Sequence, residues 1–276
     1  MQELIGDGRR DAELAFRDDH RRNASDDHID SCHSEDVMTD ENESIFDGCG
    51  ALSFDCYGTL IDWETGIVNA LQPWCAWRGL ELAADELLTL FSANEHLVEA
   101  EMPTMRYPEV LAECLRRMAA DLGHTASEDE CEEFGASVGA WPAFADTAFA
   151  LRRLKERYRL IIVSNVDRAS FARSNRRLGV EFDMIVTAED VRAYKPRLDH
   201  FHAMFARLPD VGVARNEIVH VAQSLFHDHG PARELGLPSV WIDRRQGRAG
   251  TGATPPVTVE VGLRFNSLAA FADAAL

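Results

Sequence analysis

The chain contains no Cys-x-x-Cys pair, and its six cysteines fall at irregular spacing, so neither a zinc site nor a disulfide framework is expected. No run approaches the roughly 18 apolar residues that a membrane span requires, and no apolar core of signal-peptide length precedes Ser44. A cytoplasmic protein without membrane contact is the expectation. Positive charge is also in deficit: 28 Lys and Arg stand against 47 Asp and Glu, a formal net charge of −19. Nucleic-acid binding needs the opposite balance. There is no internal repeat and no low-complexity run beyond the N-terminal tail. The expected partner is therefore a small molecule, an anionic substrate, with no cofactor and no metal; a homodimer, the commonest assembly, is compatible with the sequence.

Residues 1–45 are expected to form a disordered tail, since they combine low hydrophobicity with about half of the net negative charge. Met38 is a candidate second start within it, and the tail's three histidines read as part of a solvated charge run. The remaining length suits one α/β core, expected over 46–65 and 141–276, with a helical insertion over 66–140.

Within the core, Ala51-Leu52-Ser53-Phe54 is an apolar run that ends in Asp55 and passes at once into a turn through Gly58 and Thr59. Alone, a strand-terminal Asp would cap the next helix. Three further runs of strand length end in the same manner. Arg159 to Val163 leads into Ser164-Asn165, Met184 to Thr187 precedes Tyr194-Lys195-Pro196, and Ile218 to Ala222 leads into Gln223-Ser224 and then His227-Asp228. Helix-length stretches such as Ala169 to Leu178 and His200 to Leu208 separate them, which predicts parallel strands with crossover helices. In such a sheet ligands bind outside the carboxyl ends of the strands, where all these polar residues would meet.

An Asp at the first strand end, Ser-Asn at the second, Lys before the next element and a late Asp after the fourth run make the segment from about Ala51 to Leu276 resemble the haloacid dehalogenase superfamily. The resemblance implies a Rossmann-like parallel-sheet core with an inserted cap. The phosphatase branch carries a second Asp two places after the nucleophile, where this chain has Tyr57, and begins its fourth motif with Gly-Asp, where it has Ala222-Gln223. A phosphoryl group is multiply anionic and needs a cation beside an Asp nucleophile, whereas a singly charged 2-halocarboxylate does not. Phe54-Asp55-Cys56-Tyr57-Gly58-Thr59-Leu60 is similar to the metal-independent type II haloacid dehalogenases.

What the resemblance implies is hydrolytic dehalogenation of short 2-haloalkanoic acids to 2-hydroxy acids through an ester on Asp55. Lys195 would keep Asp55 ionised by lowering its pKa. Thr59 and Ser164 would give hydroxyl donors, Asn165 an amide near the departing halide, and Asp228 a partner for Lys195 or a holder for the hydrolytic water. Cys56, Tyr57 and Ser224 join Ser164 and Asn165 as expected substrate contacts. In family spacing the acid falls at His227, but the charge of Lys195 calls for a carboxylate and favours Asp228; the His-Asp-His run reads only weakly as a metal site, because neighbouring residues point apart. The family's cap arginine is missing near Leu90 to Asn94, with Arg106 as a candidate substitute, and Phe201 stands where a Tyr is frequent. Helices over Glu86–Val98, Tyr107–Leu122 and Ser127–Val138 are expected in the cap, with Trp63, Trp74 and Trp77 at its boundary, a return hinge at 140–146 and a surface loop over 247–256. A magnesium phosphatase of the same superfamily and a non-catalytic binding protein with this fold are the competing functions.

Overall fold

A computed structural model describes residues 45–248 and 252–276; the tail and the candidate start at Met38 lie outside them. Among the described residues six strands form one parallel sheet: β1 (Ala51–Phe54), β2 (Arg159–Ser164), β3 (Met184–Thr187), β4 (Ile218–Ala222), β5 (Ser239–Ile242) and β6 (Leu263–Phe265), in the order β3-β2-β1-β4-β5-β6. Phe54 pairs with Ile162 on one side and Val221 on the other, so β1, β2 and β4 end nearly level. The strand order reverses between β1 and β4, and the crevice at such a switch point is where open α/β sheets bind ligands.

Both faces of the sheet are covered, which explains why the strands are apolar throughout. Leu52 and Phe54 point into a core shared with Ala150, Phe171 and Phe271, while Ala51 and Ile161 face Phe201 and Met204. No helix of the described residues is long and apolar enough to cross a membrane.

After β1, and before the chain returns at Trp141, it makes four α-helices, α1 (Trp63–Trp77), α2 (Ala84–Glu101), α3 (Tyr107–Asp121) and α4 (Glu128–Ser137). Asp62 caps α1 by accepting from Thr65 N at 3.2 Å, and Ser127 and Glu130 form a capping box on α4. Three of these helices lie where the apolar spacing predicts them; α1 was expected only as a boundary. The crossover helices are α5 (Thr147–Lys155), α6 (Arg168–Leu178) and α7 (Asp199–Arg207), and α8 (Leu268–Ala275) ends the fold.

The chain leaves and re-enters the core side by side. Ile61 bridges Ala143 and Asp62 N donates to Pro142 O at 2.8 Å. Arg244 braces this crossing: it donates to Thr59 O at 2.9 and 3.1 Å, and its Nη1 donates to both carboxylate oxygens of Asp146 at 3.0 Å. Of the three tryptophans, Trp63 and Trp74 are buried, whereas Trp77 is 81 % exposed on the outer side of α1. The stretch over 247–256 is also not all surface: Ala253 and Thr254 are buried, and Ala253 N donates to Glu64 at the start of α1.

Candidate active site

Asp55 follows β1 directly, and its backbone N–H still bonds Val221 O at 3.2 Å. The turn behind it needs Gly58, whose φ is +94° and whose missing Cβ would stand 3.0 Å from Trp63 Nε1. That turn returns Thr59 beneath the carboxylate. Thr59 Oγ1 donates to Asp55 Oδ2 at 2.8 Å and accepts from Gln223 N at 2.8 Å, linking the ends of β1 and β4.

Lys195 is 1 % exposed and each of its three ammonium hydrogens is engaged: with Asp55 Oδ1 at 2.9 Å, Asp228 Oδ1 at 2.7 Å and Val163 O at 3.0 Å. Asn165 fixes the backbone that carries it, accepting from Lys195 N at 2.7 Å and donating to Lys195 O at 3.1 Å. The amide expected near a leaving group is thus already occupied at both ends. Burial opposes charge on Lys195, yet the two carboxylates raise its ammonium to about 12. Burial also opposes charge on Asp228, but Lys195 and His220 hold that carboxyl far below the ordinary range. For Asp55 burial dominates: Lys195 pulls the carboxyl down as expected, Asp228 pushes it up again, and the net direction is upward.

A widened turn after β4 decides the His227/Asp228 register. Leu225–His229 is π-helical, closed by His229 N to Ser224 O at 3.3 Å, and Asp228 is the residue it delivers to Lys195. Ser224 caps this turn, accepting from His227 N at 2.9 Å. The three neighbours point apart: His227 faces the cavity, Asp228 faces Lys195, and His229 reaches Ala222 O and Ser239 Oγ. Burial lowers both His227 and His229 to about 4, so the rings are neutral at pH 7.

The cavity above the strand ends, about 420 Å³ and partly open to solvent, is lined by Asp55, Tyr57, Ser164, Asn165, Lys195, Ser224 and Asp228 together. Cys56 is the exception: its side chain is fully buried in the core, because strand alternation turns it away from its neighbour. Tyr57 presents its ring to the cavity but commits its hydroxyl to Ser174 at 2.8 Å. Arg106 does not replace the missing cap arginine; its side chain is 61 % exposed and paired with Glu109. Phe201 packs edge-on against His220, with ring centroids 5.2 Å apart.

Several site residues escaped sequence reasoning. His220 sits inside an apolar strand, donating or accepting at Ser53 Oγ (2.9 Å) and contacting Asp228 Oδ1 at 3.1 Å. Its signal was a lone polar residue in a buried run. Glu95 and Glu99 of α2, Tyr107 of α3 and Thr254 also line the cavity.

An aspartate at a strand end, paired with a buried lysine and roofed by an inserted helical segment, defines a capped ligand site at the carboxyl edge of a parallel α/β core. The model of the haloacid dehalogenase-like hydrolases matches residues 50–225, and the chain belongs to that family. The chain is 25 % identical over 210 residues to an (S)-2-haloacid dehalogenase of Pseudomonas fluorescens, covering 70 % of this chain and 84 % of that protein. It is 27 % identical over 208 residues to (S)-2-haloacid dehalogenase H-109 of Pseudomonas putida, covering 73 % and 89 %. A solved defluorinating L-2-haloacid dehalogenase shares the fold at 20 % identity, with a TM-score of 0.68 over 82 % of this chain and 94 % of that one.

Proposed function

We propose that the chain hydrolyses the carbon–halogen bond of short 2-halo acids, with Asp55 as nucleophile and without a metal. A carboxylate oxygen of Asp55 forms a bond to C2 as the halide departs with its electron pair, inverting C2. Water then adds to the Asp55 carboxyl carbon of the resulting ester, restores the aspartate and releases the 2-hydroxy acid. Thr59 and Lys195 aim the nucleophile. Asp228 Oδ2, which is buried and has no hydrogen-bond partner among the described residues, is the acceptor suited to hold that water, and neutral His227 and the Ser164 hydroxyl are the donors suited to a substrate carboxylate.

The observation that carries the reading is the shared ammonium of Lys195 between Asp55 and Asp228. It offsets the charge of both carboxylates and aims Asp55 into the cavity. Two acids that a magnesium phosphatase of the superfamily uses have no counterpart here, since Tyr57 and Gln223 stand in their places.

The test is halide release from haloacetates, both enantiomers of 2-chloro- and 2-bromopropionate and 4-amino-2-chlorobutanoate, in EDTA, by wild type and Asp55→Asn. Release should persist in EDTA and vanish in the variant, and in oxygen-18 water the label should enter Asp55 before it enters product. A folded protein that frees halide from none of them overturns the proposal.

A further inference from the structure

Among the described residues, the cavity is lined by four carboxylates, Asp55, Glu95, Glu99 and Asp228, and by one cationic side chain, Lys195. Because all three donors of Lys195 are engaged by the protein, no ammonium hydrogen remains for a substrate anion. Glu95 and Glu99 are one helical turn apart on α2, a spacing that brings like charges together, yet they are only 4 % and 5 % exposed. Glu95 accepts a hydrogen bond from Tyr107 Oη at 2.6 Å. The Glu99 carboxyl has no hydrogen bond and no ion pair among the described residues, though the charge of Lys195 attracts it. In the lining of the same cavity, the fully buried Ser164 hydroxyl also has no partner among those residues. Burial of unpaired carboxylates is costly unless something positive or hydrogen-donating joins them. Here burial pushes Glu95 to about 7 and, aided by Glu95, pushes Glu99 well above its ordinary value.

We propose that Glu95 and Glu99 receive an ammonium group of the substrate, which is then a short 2-halo acid bearing a positively charged nitrogen as well as its carboxylate; this rests on the Asp55 chemistry above. Such a zwitterion brings no net charge into an acidic cavity. Its carboxylate takes the neutral donors at the sheet, Ser164 and His227, and its ammonium takes the cap. A simple 2-haloalkanoate brings no positive charge to match the two buried acids of the cap.

Binding and chemistry are separated by using halogen-free probes first. Calorimetric titration of wild type and of Glu95→Gln/Glu99→Gln compares 4-aminobutanoate with butanoate, with 3-aminopropanoate and 5-aminopentanoate bracketing the reach. Wild type should bind an amino acid of the series about ten- to a hundredfold more tightly than the matching alkanoate, the scale of a charge-assisted hydrogen bond, and the double variant should lose that preference. Glu99→Gln alone serves if the double variant does not fold, since Glu99 has no hydrogen bond or ion pair among the described residues to lose. Equal binding, tighter binding of the alkanoate, no binding of either, or a preference that survives substitution overturns the ammonium site. If the preference is found but neither 4-amino-2-chlorobutanoate nor 2-chlorobutanoate yields halide, the ammonium site stands and the dehalogenation reading falls.

Discussion

Thr59 serves two strands with one oxygen, and its loss should be felt twice. In Thr59→Val the Asp55 carboxylate loses a donor and the Gln223 N–H loses its acceptor in a buried place, which should cost about 1–3 kcal/mol of stability and lower halide release. Thr59→Ser should retain most of both; urea unfolding alongside turnover separates the two effects. At this scale the sequence was legible where chemistry repeated at strand ends. Asp55, Thr59, Ser164, Lys195 and Asp228 were each visible as a polar residue terminating or following an apolar run. His220 was not, because a histidine inside a strand looks like part of the strand, and its value comes from Ser53, which is remote in sequence, and from Asp228, which the π-helical turn brings back to it. Asn165 was visible at the end of β2, but its contact with the Lys195 backbone was not, since that contact depends on how β2 and the segment after β3 lie together.

At the level of elements, α1 and the return hinge meet through a glycine. A Cβ at Gly66 would lie 2.2 Å from the Trp141 ring, so Gly66→Ala should destabilise the fold by about 1–3 kcal/mol through overpacking. A matching fall in melting temperature would be the check. Helix α2 carries a pH signature. Its Glu95 carboxyl is raised from 4.5 to about 7, first by burial and against the Tyr107 hydrogen bond. The folded protein therefore holds a proton that the unfolded chain releases. That contribution is complete below about pH 4.5 and is lost as pH rises through about 7. The melting temperature of Glu95→Gln relative to wild type should thus rise across this interval, and a difference independent of pH would contradict the assignment. Periodicity found α2 because its apolar residues recur at three and four spacing, but it gives Glu95 and Glu99 no place in the site. Only the closure of the helix over the strand ends reverses that. Thr254 was hidden in the same way, by a Gly/Thr/Pro composition that reads as surface loop.

The whole molecule carries a net charge of −19, which opposes the approach of any anion over a distance that salt shortens. Raising ionic strength from about 10 to 150 mM should increase kcat/KM for 2-chlorobutanoate and leave that for 4-amino-2-chlorobutanoate nearly unchanged. Stopped-flow halide detection at fixed pH would measure both. The charge imbalance has an uneven make-up as well: of the 28 basic residues only Lys155 and Lys195 are lysines, and the rest are arginines. Lys195 is sealed beneath the cap at 1 % exposure, while the Lys155 side chain is 31 % exposed at the end of α5. Amine-directed reagents therefore meet a single partly exposed side-chain amine in the folded core, one that is paired with Asp183. A fluorophore or surface tether attached there would sit at one defined point of the sheet domain, and would report from it without altering the reacting groups.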